Sequence, residues 1–262
     1  MVKILIDLKK NVDENASVYF EKAKKSKKKI LGAQDALKKS QKKLSDLQKK
    51  ADKEKLEFEK KEKAVKRKKE YYEKFRWFIS SEDFLVIGGR DATSNEVVIK
   101  KQTESNDLVF HTDMAGSPFF VIKTNNKKPG KDTLQEVADA TCTFSRVWKL
   151  GLQTSPVFYV TPEQVSKKTK AGEYMNKGAF MIYGKVNYID NQVNLATGIT
   201  EKEQIMSGPL NAVKKHCKKY VELIQGDDKP SDIAKKIQKI LGGGTLDDII
   251  RTLPAGGFSF KK

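Results

Sequence analysis

Lysine and arginine are the abundant chemical groups of this 262-residue sequence, while histidine and cysteine are almost absent. There are 52 Lys and Arg against 34 Asp and Glu, a formal net charge of +18, with two His and two Cys. Cys142 and Cys217 stand apart, without CxxC spacing or a histidine cluster, which argues against a zinc site or a disulfide framework and for a reducing compartment. With only His111 and His216, histidine-based catalysis has little to draw on. No Ser-His-Asp set, paired-carboxylate motif or HExxH is present, so the expectation is a protein that is not an enzyme and uses no cofactor or metal. Surplus ammonium and guanidinium groups point instead to polyanions, meaning nucleic acid or an anionic membrane surface.

Three stretches could carry chemistry on a phosphate-bearing ligand. Gly88-Gly89-Arg90-Asp91 reads as a turn between strands, where the glycines permit close backbone approach and Arg90 is the residue with most to offer a ligand. His111-Thr112-Asp113-Met114-Ala115-Gly116-Ser117-Pro118 reads as a strand end breaking into a polar loop. There His111 is either a satisfied strand histidine or a contact residue, and Asp113 either braces the loop or meets the ligand. The richest is Gln164 to Gly178, in which Lys167, Lys168, Lys170 and Lys177 supply charge, Ser166 and Thr169 supply donors, and Tyr174 could stack on a base. The GxxxxGK[ST] order is missing, so nucleotide hydrolysis is not suggested.

The elements that must carry these stretches divide the chain by charge. Residues 1–80 hold 26 basic and 13 acidic side chains, whereas residues 81–262 hold 26 and 21. Residues 1–12 read as a short strand needing a partner from elsewhere, and residues 13–76 as one long basic coiled-coil helix of roughly 90 Å. Its apolar register runs Ile30, Leu37, Leu44, Ala51, Phe58, Val65 and Tyr72, with Ala33, Leu47 and Phe75 as partial companions, a seam thin enough to require an antiparallel partner helix or a homodimer. Runs such as Lys24 to Lys29 would let this arm track phosphates without reading sequence, or simply keep it soluble.

Residues 77–198 read as a mixed antiparallel α+β domain. Short strands are expected at Phe84–Ile87, Glu96–Lys100, Leu108–Thr112 and Phe119–Lys123, a helix over Thr133–Leu150, and strands at Val157–Thr161 and Ala179–Val186. Residues 199–262 read as a small helical appendage, with a cationic cluster at Lys214, Lys215, Lys218 and Lys219, a helix capped by Ser231, and a second helix from Leu246 to Leu253. No apolar run reaches the roughly 18 residues of a membrane span and the N-terminus lacks signal-peptide order, so a cytoplasmic protein is expected.

Several of these strings resemble the R domain of NFACT proteins, ribosome-associated quality-control factors that bind obstructed large ribosomal subunits. They are Lys74 to Ser81, Leu85 to Asp91, Asn95-Glu96, His111-Thr112-Asp113 with Gly116, Gln164 to Lys167, Gly172-Glu173-Tyr174, and Gly178 to Lys185. The resemblance implies RNA binding by this domain on a coiled-coil arm. The candidate RNA-binding set expected in this sequence is Arg90, Lys101, His111, Asp113, Gly116, Lys123, Lys167, Lys168, Lys170, Tyr174, Lys177 and Lys185. The resemblance also implies the large-subunit RNA and tRNA as partners. The sequence is not expected to contain the family's N-terminal domain tied to untemplated tail addition, which puts tail synthesis in doubt, and a separate chain could supply that half together with the pairing helix. Many members carry a histidine before the glycine of the Asp113-Met114-Ala115-Gly116 loop; none stands here. The other readings are a structural adaptor that recruits a protein through its coiled coil, and an enzyme on nucleic acid.

Overall fold

Asn11 and Glu14 open the first element by capping each other: Glu14 N–H donates to Asn11 Oδ1 at 2.8 Å, and Asn11 N–H donates to a Glu14 carboxylate oxygen at 2.9 Å. Such a reciprocal box satisfies two of the donors that a helix start leaves unpaired. In the computed structural model, which describes residues 3–63, 69–168 and 175–261, helix α1 runs from there over Val12–Lys63. Its 52 residues span about 78 Å. The chain consists of two units, residues 1–68 and 69–262.

Residues 3–7 do not form the expected strand. Instead, Leu5 N–H donates to the Tyr19 hydroxyl, which donates to Leu5 O, while Asp7 N–H donates to Asn15 Oδ1. Side chains of α1 thus satisfy backbone groups that a partner strand would otherwise take. Along α1, Ile30, Leu37, Leu44 and Leu47 are all exposed. The seam positions Ala51 and Phe58 lie beyond the described side chains and Val65 outside the described residues. Tyr72 and Phe75 leave the seam: they follow a break in the helix and pack into the second unit, Tyr72 against Trp77 at 4.8 Å between ring centroids.

The second unit is built on a six-stranded antiparallel sheet. Its strands are β1 (Arg76–Ile79), β2 (Leu85–Gly88), β3 (Leu108–Thr112), β4 (Phe120–Lys123), β5 (Val157–Val160) and, beyond a two-stranded ribbon of β6 (Val165–Ser166) and β7 (Met181–Ile182), β8 (Asn187–Ile189), in the order β1-β2-β4-β3-β5-β8. β4 is buried at every position, as a central strand covered on both faces must be. Helix α3 (Lys131–Thr143) covers the sheet through Val137, Ala140 and Cys142, and Ser145 breaks it from helix α4 (Arg146–Leu150) by accepting from Val147 N–H at 3.1 Å. The single expected helix is therefore two, for the local reason that a serine hydroxyl offers a new cap.

The expected strand at Glu96–Lys100 is instead helical: α2 (Ala92–Val97) followed by a wide helical turn over Val98–Gln102. Asp91 accepts from Ser94 N–H at 2.8 Å and begins the helix. That cap outweighs the β-propensity of Val97-Val98-Ile99, and the Gly88-Gly89-Arg90-Asp91 stretch joins a strand to a helix, not two strands. In the last part, helices α6 (Pro230–Leu241) and α7 (Leu246–Thr252) stand close to where they were read, with Lys229 and not Ser231 at the α6 cap. They pack on a four-stranded sheet, β10-β9-β11-β12, formed by β9 (Leu195–Thr200), β10 (Ile205–Gly208), β11 (Cys217–Asp228) and β12 (Phe258–Phe260), with the short helix α5 (Leu210–His216) between β10 and β11. β1 meets this second sheet at β10, where Ile79 N–H approaches Met206 Sδ at 3.4 Å. The two sheets share one apolar core containing Phe78, Phe120, Trp148, Met206 and Phe258.

Candidate nucleic-acid interface

Where β2 ends, three stretches far apart in sequence converge on a cleft of about 410 Å³. The Gly89-Arg90-Asp91 junction forms one wall, the Ala115–Phe119 loop a second, and residues Asn176–Phe180 a third, with Arg76 and Phe144 behind them. Two close approaches shape it. A Cβ on Gly89 would stand 1.8 Å from Asn95 Oδ1, the oxygen that accepts from Phe119 N–H, so glycine lets the junction close on the loop. Gly178, at φ +81°, leaves no room for a Cβ beside Ala92 Cα at 2.5 Å.

The third wall is strapped to α2 through one carboxylate. Glu96 takes Lys167 Nζ at 2.8 Å and Gly178 N–H at 3.2 Å on one oxygen and Lys100 Nζ at 3.2 Å on the other. These bonds, Lys167 foremost, hold the Glu96 pKa down at about 2. Lys167 Nζ also donates to Asn176 O at 3.1 Å and sits 5.0 Å from the Phe180 ring centroid.

Cations dominate the interior. Arg76 donates to Leu253 O at 2.9 Å, stacks over Phe144 at 4.6 Å, and has no partner at Nε among the described residues. Burial first, and the neighbouring Arg90 charge second, pull its pKa down to about 9 against the opposing pull of Asp91. At neutral pH it remains charged. Asp91 itself is held low by Ser94, whose backbone N–H it accepts as the cap of α2. The exposed guanidinium of Arg90 and ammonium of Lys177 have no side-chain partner among the described residues. Two guanidiniums that raise each other's energy, with their nearest carboxylate already engaged, make a site that an anion would stabilise.

His111 lines the cleft but is committed. Its ring stacks on Phe119 with centroids 4.1 Å apart and it donates from Nε2 to Ser117 O at 3.3 Å. Burial pushes its pKa below the ordinary histidine value, so it is neutral at pH 7. Gly116, at φ +83°, forms the loop tip beside the Arg146 side chain.

The sequence-derived residues therefore separate. Arg90, His111, Gly116 and Lys177 come together in the cleft. Asp113 braces instead, accepting from the Tyr188 hydroxyl at 3.1 Å. Lys123 is buried among Asp107, Glu104 and Gln102 O. Burial alone would lower its pKa, but the hydrogen bonds it donates to Asp107 and Glu104 more than offset this and raise it. Such an ammonium is spent inside the fold and leaves the RNA-facing set. Lys101, Lys168 and Lys185 are exposed and outside the cleft lining. Lys170 and Tyr174 lie outside the described residues. Sequence reasoning missed Arg76, Asn95, Phe144 and Phe180. Only Arg76 carried a visible signal, as an isolated arginine in an aromatic strand, Phe75-Arg76-Trp77-Phe78.

Fold and cleft together describe an antiparallel α+β domain with an anion-receptive site at a strand–helix junction. Residues 74–184 match the NFACT protein RNA binding domain. Archaeal Rqc2 homolog aRqcH of Methanocaldococcus jannaschii is 39% identical over 200 residues, covering 74% of this chain and 30% of that protein. Ribosome quality control complex subunit NEMF of Homo sapiens is 36% identical over 180 residues, 67% of this chain and 16% of that protein, and the Drosophila melanogaster NEMF homolog 35% over 190 residues, 70% and 18%. Residues 74–184 thus form an RNA binding domain of the NFACT type. The chain spans less than a third of the length of these relatives.

Proposed function

We propose that this chain is a non-enzymatic RNA-binding factor of ribosome-associated quality control, acting in the cytoplasm on the large ribosomal subunit and on the tRNA of stalled complexes. The observation that carries this reading is the cleft itself: Arg76, Arg90 and Lys177 converge inside the segment that matches the family's RNA-binding domain. Relatives whose names place them in ribosome quality control supply the biological setting. A role without catalysis is favoured by the state of the candidate acid–base and nucleophilic groups. His111 is stacked and bonded to backbone, Asp113 is held by Tyr188, and burial pushes the thiols of Cys142 and Cys217 up to about 11 and about 12. Lysines along α1 add a second, sequence-blind phosphate contact.

Filter binding to ribosomal RNA and tRNA over a salt series tests this. Affinity should be high at low salt and fall linearly on a log–log plot. Absent binding at low salt, or a flat salt response, overturns it. A second reading, an adaptor that recruits a separate chain through a paired helix, has its own observation in the exposed Ile30, Leu37 and Leu44 face of α1.

A further inference from the structure

A duplex presents its phosphates on a convex surface, whereas this domain holds cationic groups within a concavity. Arg76 lies against Phe144 at the back of the cleft with an unpartnered Nε, a position that favours a phosphate carried into the cleft. The same lining includes an apolar and aromatic group, Pro118, Ala179 and Phe180. Phe180 is a wall shared with a second cavity of about 240 Å³, and Lys167, which sits over its ring, lines only that second cavity. Within the cleft lining, Phe180 also meets Phe119 at right angles, with ring centroids 5.4 Å apart. Cationic groups and an aromatic ring lining one cleft match the two halves of a nucleotide, and about 410 Å³ is within the range of small-molecule sites.

We propose that the cleft takes a single unpaired nucleotide of a single-stranded RNA segment, seating its phosphate on Arg76 and Arg90 and its base against Phe180. This rests on the RNA-binding reading above and adds the form of RNA recognised. Selectivity for unpaired RNA follows from shape: a nucleotide must leave its stack to reach Arg76, and that step costs least where no base pair is broken. Phosphate contact gives no sequence information, and Phe180 offers a π-face common to every base, so the site should tolerate any nucleotide.

The test uses the full chain and fluorescence anisotropy with a labelled oligouridylate and a blunt RNA duplex of equal length, at matched low salt. The single strand should bind more tightly than the duplex, and unlabelled uridine monophosphate at high concentration should compete with it. R90A, at an exposed position that the fold does not need, should weaken the single strand by about tenfold and the duplex by no more than about twofold. F180L keeps apolar bulk and removes the stacking face, and should lower single-strand affinity several-fold. Equal affinity for the two RNAs, or single-strand binding unchanged in both variants, overturns the unpaired-nucleotide site while RNA binding stands. Failure of every RNA to bind at low salt overturns both readings.

Discussion

Lysines that look alike in sequence have opposite employment in this fold. Lys177 projects into the cleft edge, while Lys123 is locked between Asp107 and Glu104. Replacing Lys123 by alanine leaves Asp107, 1% exposed, without its ammonium partner, and should cost about 3 kcal/mol in urea unfolding. RNA affinity per folded molecule should stay at the wild-type value; a specific loss of affinity at full stability would return Lys123 to the interface. Lys177→Ala should do the reverse, leaving the unfolding midpoint in place and reducing the magnitude of the salt slope of RNA binding by about one. Local pattern could show that a cation was present, but its partner was out of reach: Lys123 pairs 16 residues back, and Lys167 finds Glu96 on a helix that was read as a strand. Arg90 was legible because glycines precede it and no apolar face claims it. Arg76 stands out as a lone arginine in an aromatic strand, but that alternation gives no sign that its side chain lines a cavity.

At the scale of elements, the cleft depends on α2 and on the loop strapped to it. With the Glu96 pKa held at about 2 against an ordinary 4.5, the strap's contribution is complete above about pH 4.5 and is lost as pH falls toward 2. Hydrogen exchange of the amides at 176–180 should accelerate through that window, and Glu96→Gln should show the fast exchange already at pH 7. Exchange at 176–180 that is indifferent to both acid and substitution would rule out the strap. Gly178→Ala forces a side chain into positive φ against Ala92, should cost about 1–3 kcal/mol, and should weaken RNA binding by displacing the third wall. Most of this architecture was readable in outline. The strands at β2, β3, β4 and β5 and the helices α6 and α7 follow from alternation, helical periodicity and glycine and proline stops. The errors fall where one side chain redirects the backbone: Asp91 starts a helix in a β-rich run, and Ser145 cuts one helix into two. The second sheet escaped notice because β11 is mostly exposed or half-buried, and its lysines resemble a solvated helix face.

Over the whole molecule, charge is unevenly shared, with an excess of 13 cations in residues 1–80 and 5 in the remainder. The lysine-rich helix and the arginine cleft should therefore contribute differently to binding. Deleting residues 1–68 should flatten the salt dependence of RNA affinity, because most of the sequence-blind contacts go with the arm. The preference for single-stranded over duplex RNA should survive, since the cleft belongs wholly to residues 69–262. RNA binding retained in that fragment contradicts a purely adaptor role, and RNA binding abolished by the deletion contradicts the cleft. The account is tested most directly by sedimenting the full chain with large ribosomal subunits when Arg90 and Lys177 are both changed to glutamate. It predicts a chain that folds normally and stays in the supernatant at a salt concentration where the unaltered protein pellets. Equal pelleting of the two would contradict it.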